Sequence, residues 1–242
     1  MDRMIYLSMS GAKATMQRQD TLSNNLANVS TVGFRAELAA FRSVPINGTG
    51  SSTRAFALES TPGYSDAPGT VTATGRTLDV AMQGRSWLAV QALDGTEAYT
   101  RGGSLDVSSD GTLVTRSGLP VMGDGGPIQV QEGSTVQIGS DGSINASTPD
   151  GRQQRVGRLK LVTPEIALLR GPDGLFRTAD GAELEADPEA RVQEAALEGS
   201  NVSPVETMVA MIAAARQFEA QMKMLQTAEA DERAAARLLS PT

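Results

Sequence analysis

The 242-residue sequence contains no cysteine and no histidine. These absences exclude disulfides, thiolate and imidazole metal sites, iron–sulfur clusters, and the nucleophile systems that depend on histidine. Aromatic residues make up only 4% of the chain, so few rings are present on which a ligand could stack. The lack of cysteine is compatible with an oxidising compartment but does not by itself indicate one.

The charge balance and the hydropathy pattern exclude further classes of protein. The chain has 21 basic and 28 acidic residues, a formal net charge of −7, so no basic excess is present to neutralise nucleic-acid phosphates. No run of about 18 apolar residues occurs, as a membrane-spanning helix would need. The N-terminal stretch MDRMIYLSMSGAKATM has polar residues where a Sec-type signal has an apolar core. We expect no nucleic-acid partner, no membrane span and no Sec signal.

Composition divides the chain into four stretches. Residues 1–35 lack proline and predict an N-terminal helix that ends in an asparagine-rich motif. Residues 36–75 are rich in Ser, Thr, Gly and Pro and predict an extended linker. Residues 76–190 carry most of the remaining glycines and predict a β domain, and residues 191–242 contain a predicted C-terminal helix.

Repeated Asp-Gly dipeptides mark the turns of the predicted β domain. They begin at Asp94, Asp110, Asp124, Asp141, Asp150, Asp173 and Asp180. Short β-prone runs lie between them, and Asp-Gly suits the positive φ angles of two-residue type I′ hairpins. No parallel βαβ pattern is present. The sequence therefore predicts an antiparallel domain of short hairpins.

The two terminal helices carry apolar stripes. Ser203, Pro204 and Glu206 form a predicted capping box at the start of the C-terminal helix. Apolar residues then follow at alternating spacings of three and four, the pattern of a coiled-coil seam: Met208, Met211, Ala215, Phe218, Met222 and Leu225. The N-terminal stripe is less regular. The predicted fold is α+β, in which the two helices pair as an antiparallel coiled-coil-like domain beside the central all-β domain.

No pattern indicates catalysis or a bound cofactor. Carboxylates are numerous, but no spacing singles out an acid–base pair. Glycine clusters such as residues 171–174 lack the strand and helix context of a phosphate-binding loop. We expect no enzyme activity, no cofactor, no metal and no small-molecule substrate.

The segment 24–34, NNLANVSTVGF, is unusual in its asparagines. A helix C-cap followed by a turn explains Asn28 and Gly33. It does not explain Asn24 and Asn25, which lie inside the helix, where asparagine lowers helix propensity.

This segment resembles the N-terminal signature of the bacterial flagellar rod and hook family of axial proteins. Two further blocks resemble that family in the same order: residues 74–84 with 98–105 (TGRTLDVAMQG and AYTRGGSL), and residues 197–202 (LEGSNV). Within the family, the start of the chain and residues 34–38, 42–46 and 86–91 are similar to a proximal rod protein. A distal rod protein is the alternative.

The resemblance implies a structural subunit that polymerises with itself and with related rod and hook proteins, transmits torque and forms the export channel. It also implies a periplasmic location in the basal body, and export unfolded by the flagellar type III apparatus without a Sec signal. The rival interpretation is a secreted β-domain module that binds polysaccharide. The subunit-interface candidates are Asn24, Asn25, Asn28, Thr31, Gly33, Phe34, Asn201, Met208, Met211, Ala215, Phe218, Met222 and Leu225. We expect the three helical asparagines to hydrogen-bond across subunits.

Overall fold

The computed structural model describes residues 2–45, 55–131, 133–148 and 152–239. Two helices lie near the ends of the chain, with short strands between them. The elements are α1 Asp2–Ala27, β1 Glu37–Pro45, β2 Ala55–Tyr64, β3 Val71–Ala73, β4 Val80–Met82, β5 Trp87–Gln91, β6 Glu97–Thr100, β7 Leu105–Val107, β8 Leu113–Thr115, β9 Met122–Gly123, β10 Gly126–Pro127, β11 Thr135–Ile138, β12 Ser143–Ser147, β13 Gln153–Arg158, β14 Leu161–Val162, β15 Leu169–Arg170, β16 Phe176–Arg177, β17 Val192–Glu194, β18 Ala196–Glu198 and α2 Pro204–Leu239.

The chain forms two compact units. The helical unit takes in the described residues of Met1–Val29, Ala36–Ser65 and Val202–Thr242, and the β unit takes in those of Ser30–Arg35 and Asp66–Asn201. Every strand pairing is antiparallel among the described residues. The prediction of an α+β protein with short antiparallel strands is therefore confirmed.

The helical unit contains α1, α2 and the hairpin formed by β1 and β2. The hairpin runs in register from Glu37 opposite Tyr64 to Pro45 opposite Ala55, with an irregularity after Leu38. The helices come close at Gly11, where an added Cβ would lie 3.0 Å from the side chain of Gln221. Among the described side chains of the two helices, the buried ones are small or polar: Ser8, Ala12, Thr15, Asn25, Thr207 and Ala214.

The β unit surrounds one hydrophobic core. Its five-stranded sheet has the order β14-β5-β6-β16-β15, and β11, β12 and β13 form a three-stranded sheet. The remaining strands of the unit pair in twos, β3 with β18, β4 with β17, β7 with β8 and β9 with β10. Leu88, Leu105, Leu113 and Ile144 are all fully buried in the core. Burial of such side chains contributes about 1.5–3 kcal/mol each, which gives this unit a core of its own.

The boundaries of the β unit in the structure differ from those that the composition predicted. Residues 66–75 and 191–201 lie outside the predicted β domain, yet β3 pairs with β18 and β4 pairs with β17. Within the predicted linker, β1 and β2 form a hairpin. Ser, Thr, Gly and Pro are typical of linkers, so the composition of this stretch did not indicate the hairpin.

The Asp-Gly turns differ from the predicted type I′ geometry. Glycine has a positive φ at Gly95, Gly111, Gly142, Gly174 and Gly181, but the preceding aspartates do not. In the described part of the chain, Ala195 is the one residue other than glycine with a positive φ. A type I′ turn needs two positive φ angles, so these turns instead resemble a type I turn closed by a left-handed glycine.

Neither helix, over its described residues, has the length and apolar character that crossing a membrane requires.

Candidate functional site

The three asparagines of the N-terminal motif have different surroundings. Asn25 is buried; its Nδ2 donates to the carbonyl oxygen of Glu37 at 2.9 Å, and its Oδ1 accepts from the Glu37 N–H at 2.8 Å. Asn28 Nδ2 donates to Oδ1 of the exposed Asn24 at 3.0 Å. Both Asn25 bonds lie within the chain, and hydrogen bonds of the three asparagines across subunits stay a prediction. The two Asn25 bonds tie the last turn of α1 to the start of β1, which offsets the low helix propensity of asparagine.

Gly33 lies in the part of the N-terminal motif that belongs to the β unit. Its φ is +70°, and an added Cβ would lie 2.2 Å from the carbonyl carbon of Arg101. Its N–H donates to the carbonyl oxygen of Glu198 at 2.7 Å. The next residue, Phe34, is buried, and the guanidinium of Arg170 lies 4.5 Å from the centre of its ring. Only glycine combines the left-handed backbone with this close approach.

A buried ion cluster joins three distant parts of the chain beside Gly33. Arg35 Nη2 lies 2.9 Å from Glu198 Oε1, and Arg101 Nε donates to Glu198 Oε2 at 2.8 Å. The side chains are 4%, 2% and 1% exposed for Arg35, Arg101 and Glu198. The Gly69 N–H adds a bond to Glu198 Oε1 at 2.9 Å. One carboxylate is thus shared between two arginines from which water is excluded.

Backbone carbonyls complete the surroundings of the two arginines. Arg101 donates to the carbonyl oxygens of Met82 at 2.9 Å and Gly84 at 3.0 Å, and also to that of Ser86. Arg35 Nη1 donates to Ala67, but its Nε is buried without a partner among the described residues. Burial lowers the pKa of Arg35, and nearby Arg101 acts in the same direction, while Glu198 opposes both. The cluster holds loops together; it offers no free acid or base.

The C-terminal motif continues from this cluster into α2. Asn201 Nδ2 donates to the carbonyl oxygen of Ala67 at 2.8 Å, and its N–H donates to that of Phe34 at 3.3 Å. Helix α2 begins at Pro204, and Ser203 Oγ accepts from the Glu206 N–H at 3.5 Å. The predicted N-cap and first-turn proline are therefore confirmed. No group of acidic side chains within the described ranges is arranged to hold a metal ion.

The residues of the predicted α2 seam differ in how exposed they are. Met211, Ala215, Phe218 and Leu225 are half-buried, whereas Met208 is 50% exposed and Met222 is 38% exposed. Among the described side chains of this helix, the buried ones are Thr207 and Ala214, which the apolar pattern did not include. The small residue Ala214, 1% exposed, is the signal that could have located the inward face.

Large apolar side chains are instead exposed along both helices. On α1 these are Tyr6, Met9 and Met16, and on α2 they are Val205, Met208, Val209, Ile212, Met222 and Met224. We call this set the outer apolar surface. Val205 is 69% exposed and Val209 is 61% exposed. Val205, Met208, Val209 and Ile212 recur at spacings of three and four, so they share one face of α2, as in an interaction surface.

Comparisons with known proteins match each of the three motifs. A model of the flagella basal body rod protein family matches residues 5–35. A model of the flagellar hook protein FlgE/F/G D1 domain matches residues 81–146, and one of the flagellar basal body rod FlgEFG protein C-terminal region matches residues 193–238.

Whole-chain relatives agree with these matches. The flagellar basal-body rod protein FlgF of Salmonella typhimurium is 48% identical over 250 residues, and the FlgF of Escherichia coli is 46% identical over 250 residues. Each alignment covers 99% of both chains. The chain belongs to the flagellar basal-body rod protein family. The FlgG rod protein of Bacillus subtilis is also similar, at 32% identity over 254 residues that cover 94% of this chain and 95% of that one.

The ion cluster takes one member from each of the family matches. Arg35 ends the match at residues 5–35, Arg101 lies within residues 81–146, and Glu198 lies within residues 193–238. As a member of the family, the chain is a structural subunit of the flagellar basal-body rod, and its resemblance to FlgF is confirmed. The matched segments carry the cluster that joins them, although sequence reasoning did not single out these three charged residues. The available signal was a charged residue beside glycine in each of the last two motifs.

Proposed function

We propose that this rod subunit builds the proximal part of the rod, where it polymerises with copies of itself and with related rod and hook proteins. Its relatives named FlgF, at 48% and 46% identity, support a proximal over a distal position, because the FlgG relative is 32% identical. In this position the subunits transmit torque and line the export channel. We also propose a periplasmic location and export through the flagellar type III apparatus without a Sec signal.

Assembly uses the helical unit. In this proposal α1 and α2 pair as an antiparallel coiled-coil-like domain through their small residues, and the outer apolar surface is covered by neighbouring subunits. The observation that carries the proposal is the exposure of large apolar side chains beside buried Ser8, Ala12, Thr15 and Ala214. In an isolated pair of helices, burying alanine while isoleucine stays exposed contributes little stability. The arrangement is favourable when a neighbouring subunit covers the exposed isoleucine.

The predicted interface residues divide within this proposal. Met208 and Met222 belong to the surface that neighbours cover, whereas Met211, Ala215, Phe218 and Leu225 serve both the helix pair and the neighbouring subunits. The remaining candidates belong to both compact units, Asn24 and Asn28 to the helical unit and Thr31, Gly33, Phe34 and Asn201 to the β unit. Of these, Gly33 and Phe34 act by positioning the backbone.

The test places a charge on the outer apolar surface. Val209→Asp should abolish incorporation into the rod in a flagellated host that lacks the native subunit, because a neighbour would have to bury the carboxylate. The monomer should keep its thermal midpoint, since Val209 is 61% exposed. Gln217→Asp adds the same charge at an exposed position of α2 and should assemble normally.

The outcomes separate the proposal from its rivals. Normal motility with Val209→Asp would contradict the proposed surface. In a host that lacks the native subunit, assembly should stop before the distal rod and hook are added, and the wild-type chain should restore it. Failure of the wild-type chain to do so would contradict the proximal position. A secreted glycan-binding module would leave motility unaffected by either variant.

A further inference from the structure

A groove of about 500 Å³ opens on the β unit, with both apolar and hydroxyl side chains in its lining. Hydroxyl side chains line it, among them Ser30, Thr100, Thr115 and Ser117, together with the exposed Arg116. No carboxylate is among its lining residues. Within the described ranges, no hydrogen bond or ion pair involves the Arg116 guanidinium. The groove therefore combines hydroxyl donors with one available positive charge, a combination that suits a carboxylate.

One Asp-Gly turn of the β unit differs from the others. In most described Asp-Gly turns the carboxylate bonds its own turn; Asp94 accepts from Thr96, Asp141 from Ser143 and Asp180 from Ala182. Asp124, at the tip between β9 and β10, is exposed and makes no such bond within the described residues. In this turn the positive φ falls on Gly126 and not on Gly125, so the turn does not have the geometry of the others.

The groove and this turn lie at opposite ends of one short segment. Residues 119–123 run antiparallel to β8 through the bridge of Pro120 with Val114, and then antiparallel to β10 through the pairing of Met122 with Pro127. Successive turns of a meander lie at opposite ends of the strand they share. At 3.3 Å per residue, the chain from residue 117 to residue 124 spans up to about 23 Å. Asp124 therefore cannot reach the Arg116 groove of its own subunit.

We propose that Asp124 of one subunit enters the Arg116 groove of an adjacent copy of the same chain. The contact joins two different surfaces of the subunit, so it is heterologous. Each copy can therefore bind one neighbour through Asp124 and another through its groove, and the contact repeats along the assembly. The inference rests on the proposed function, because it needs copies to lie side by side in the rod. One exposed ion pair contributes little binding free energy. The contact would therefore set the register between the β units of neighbouring copies, while the helices supply most of the affinity.

Engineered cysteines test the contact directly, because the natural chain has none that could react. Gly125 suits a cysteine, since an added Cβ would meet nothing within 4 Å. Ser117→Cys/Gly125→Cys should form disulfide-linked dimers and longer chains in isolated rods under mild oxidation. Each single variant should remain monomeric on non-reducing gels. Ser117→Cys/Glu165→Cys, which moves the second cysteine to another exposed position, is the matched control and should also remain monomeric.

A charge exchange gives an independent measurement. Arg116→Glu and Asp124→Arg should each lower rod incorporation several-fold, and the double variant should restore it. Loss in the single variants without recovery in the double variant would overturn the contact between copies. Incorporated cysteine variants that fail to cross-link would also overturn it, while leaving the proposed function intact. Failure of the wild-type chain to enter rods would instead contradict the proposed function and this inference with it.

Discussion

The β unit buries most of its large apolar side chains in one core and exposes a few singly in turns, such as Leu93 and Ile166, whereas the two helices expose large apolar side chains along their length and bury small ones. Leu88, Leu113 and Ile144 have no exposed surface, while Ile212 on α2 is 56% exposed and Met16 on α1 is 54% exposed. The helices bury alanine, serine and threonine instead. The β unit thus holds a complete core within one chain, and the helical unit has apolar surface left for neighbours.

The two units also use their buried polar groups differently. The β unit buries the charged residues Arg35, Arg101 and Glu198, each with several bonds. The helical unit buries Asn25, whose amide bonds one backbone residue. Breaking a buried ion pair is costly, so the β unit should unfold as one cooperative body. A single tryptophan, Trp87, lies buried in this unit and reports its unfolding separately from the helical circular dichroism signal.

The largest effect on the β unit should come from Glu198→Ala. Removing the carboxylate leaves Arg35 and Arg101 buried and unpaired, at a cost of about 3–5 kcal/mol. Urea unfolding followed by Trp87 fluorescence measures the loss. Glu194→Ala, exposed on β17, is the matched control and should change the midpoint little. An unchanged midpoint for Glu198→Ala would mean that the cluster does not hold the unit together.

Matched truncations in the two units should differ in where their cost falls. Leu113→Ala should destabilise the β unit by about 2–5 kcal/mol, because it opens a cavity in the core. Ile212→Ala should leave the monomer almost unchanged and lower incorporation into the rod. Urea unfolding and a motility assay on both variants make the comparison. An equal loss of monomer stability would erase the proposed distinction.

A smaller effect is expected at Gly33. A left-handed φ alone costs alanine about 1–2 kcal/mol, and the approach to the Arg101 carbonyl adds strain. Gly118→Ala is the control, since its φ is +83° and an added Cβ would meet open space. Gly33→Ala should therefore lower the Trp87 unfolding midpoint more than Gly118→Ala does. Equal shifts would show that the backbone angle alone matters.

The smallest effect concerns acid stability. The side-chain hydrogen bond from Thr96 lowers the pKa of Asp94, and the backbone bond from the same residue adds to it. A lowered pKa in the folded state contributes stability above the ordinary value of about 3.9, and that contribution is lost as the pH falls through the lowered value. Thr96→Val should raise the pKa of Asp94 in a carboxyl NMR titration. Thr96→Ser keeps the hydroxyl and should preserve it; equal pKa values in both variants would contradict the assignment.

The sequence was sufficient to predict the fold class and the start of α2, but not which faces of the two helices are buried. Ser203 and Pro204 located the beginning of α2 because capping is a local interaction. The apolar pattern selected Met208 and Met222, since a hydrophobic stripe does not distinguish contact within a chain from contact between chains. Ala214 was overlooked because the alternating spacing selected its neighbour Ala215, although Ala214 is the more buried of the two.

The ion cluster could not be predicted from the sequence, for a different reason. Arg35 and Glu198 are separated by most of the chain, and pairing over such distances depends on the strand register of β3 with β18. The resemblance named the segments that meet but not the charges that join them. Gly33 was assigned to a helix stop, while its tighter constraint is the Arg101 backbone beside it.

Hydrogen exchange of the dilute monomer and of assembled rods tests the central claim most directly. Amides of β5, β6 and β8 should be protected equally in both states, because their core is complete in one chain. Amides of α1 and α2 should exchange much faster in the monomer than in rods, where neighbours cover the outer apolar surface. Helices that are protected to the same degree in the monomer and in the rod would contradict the account.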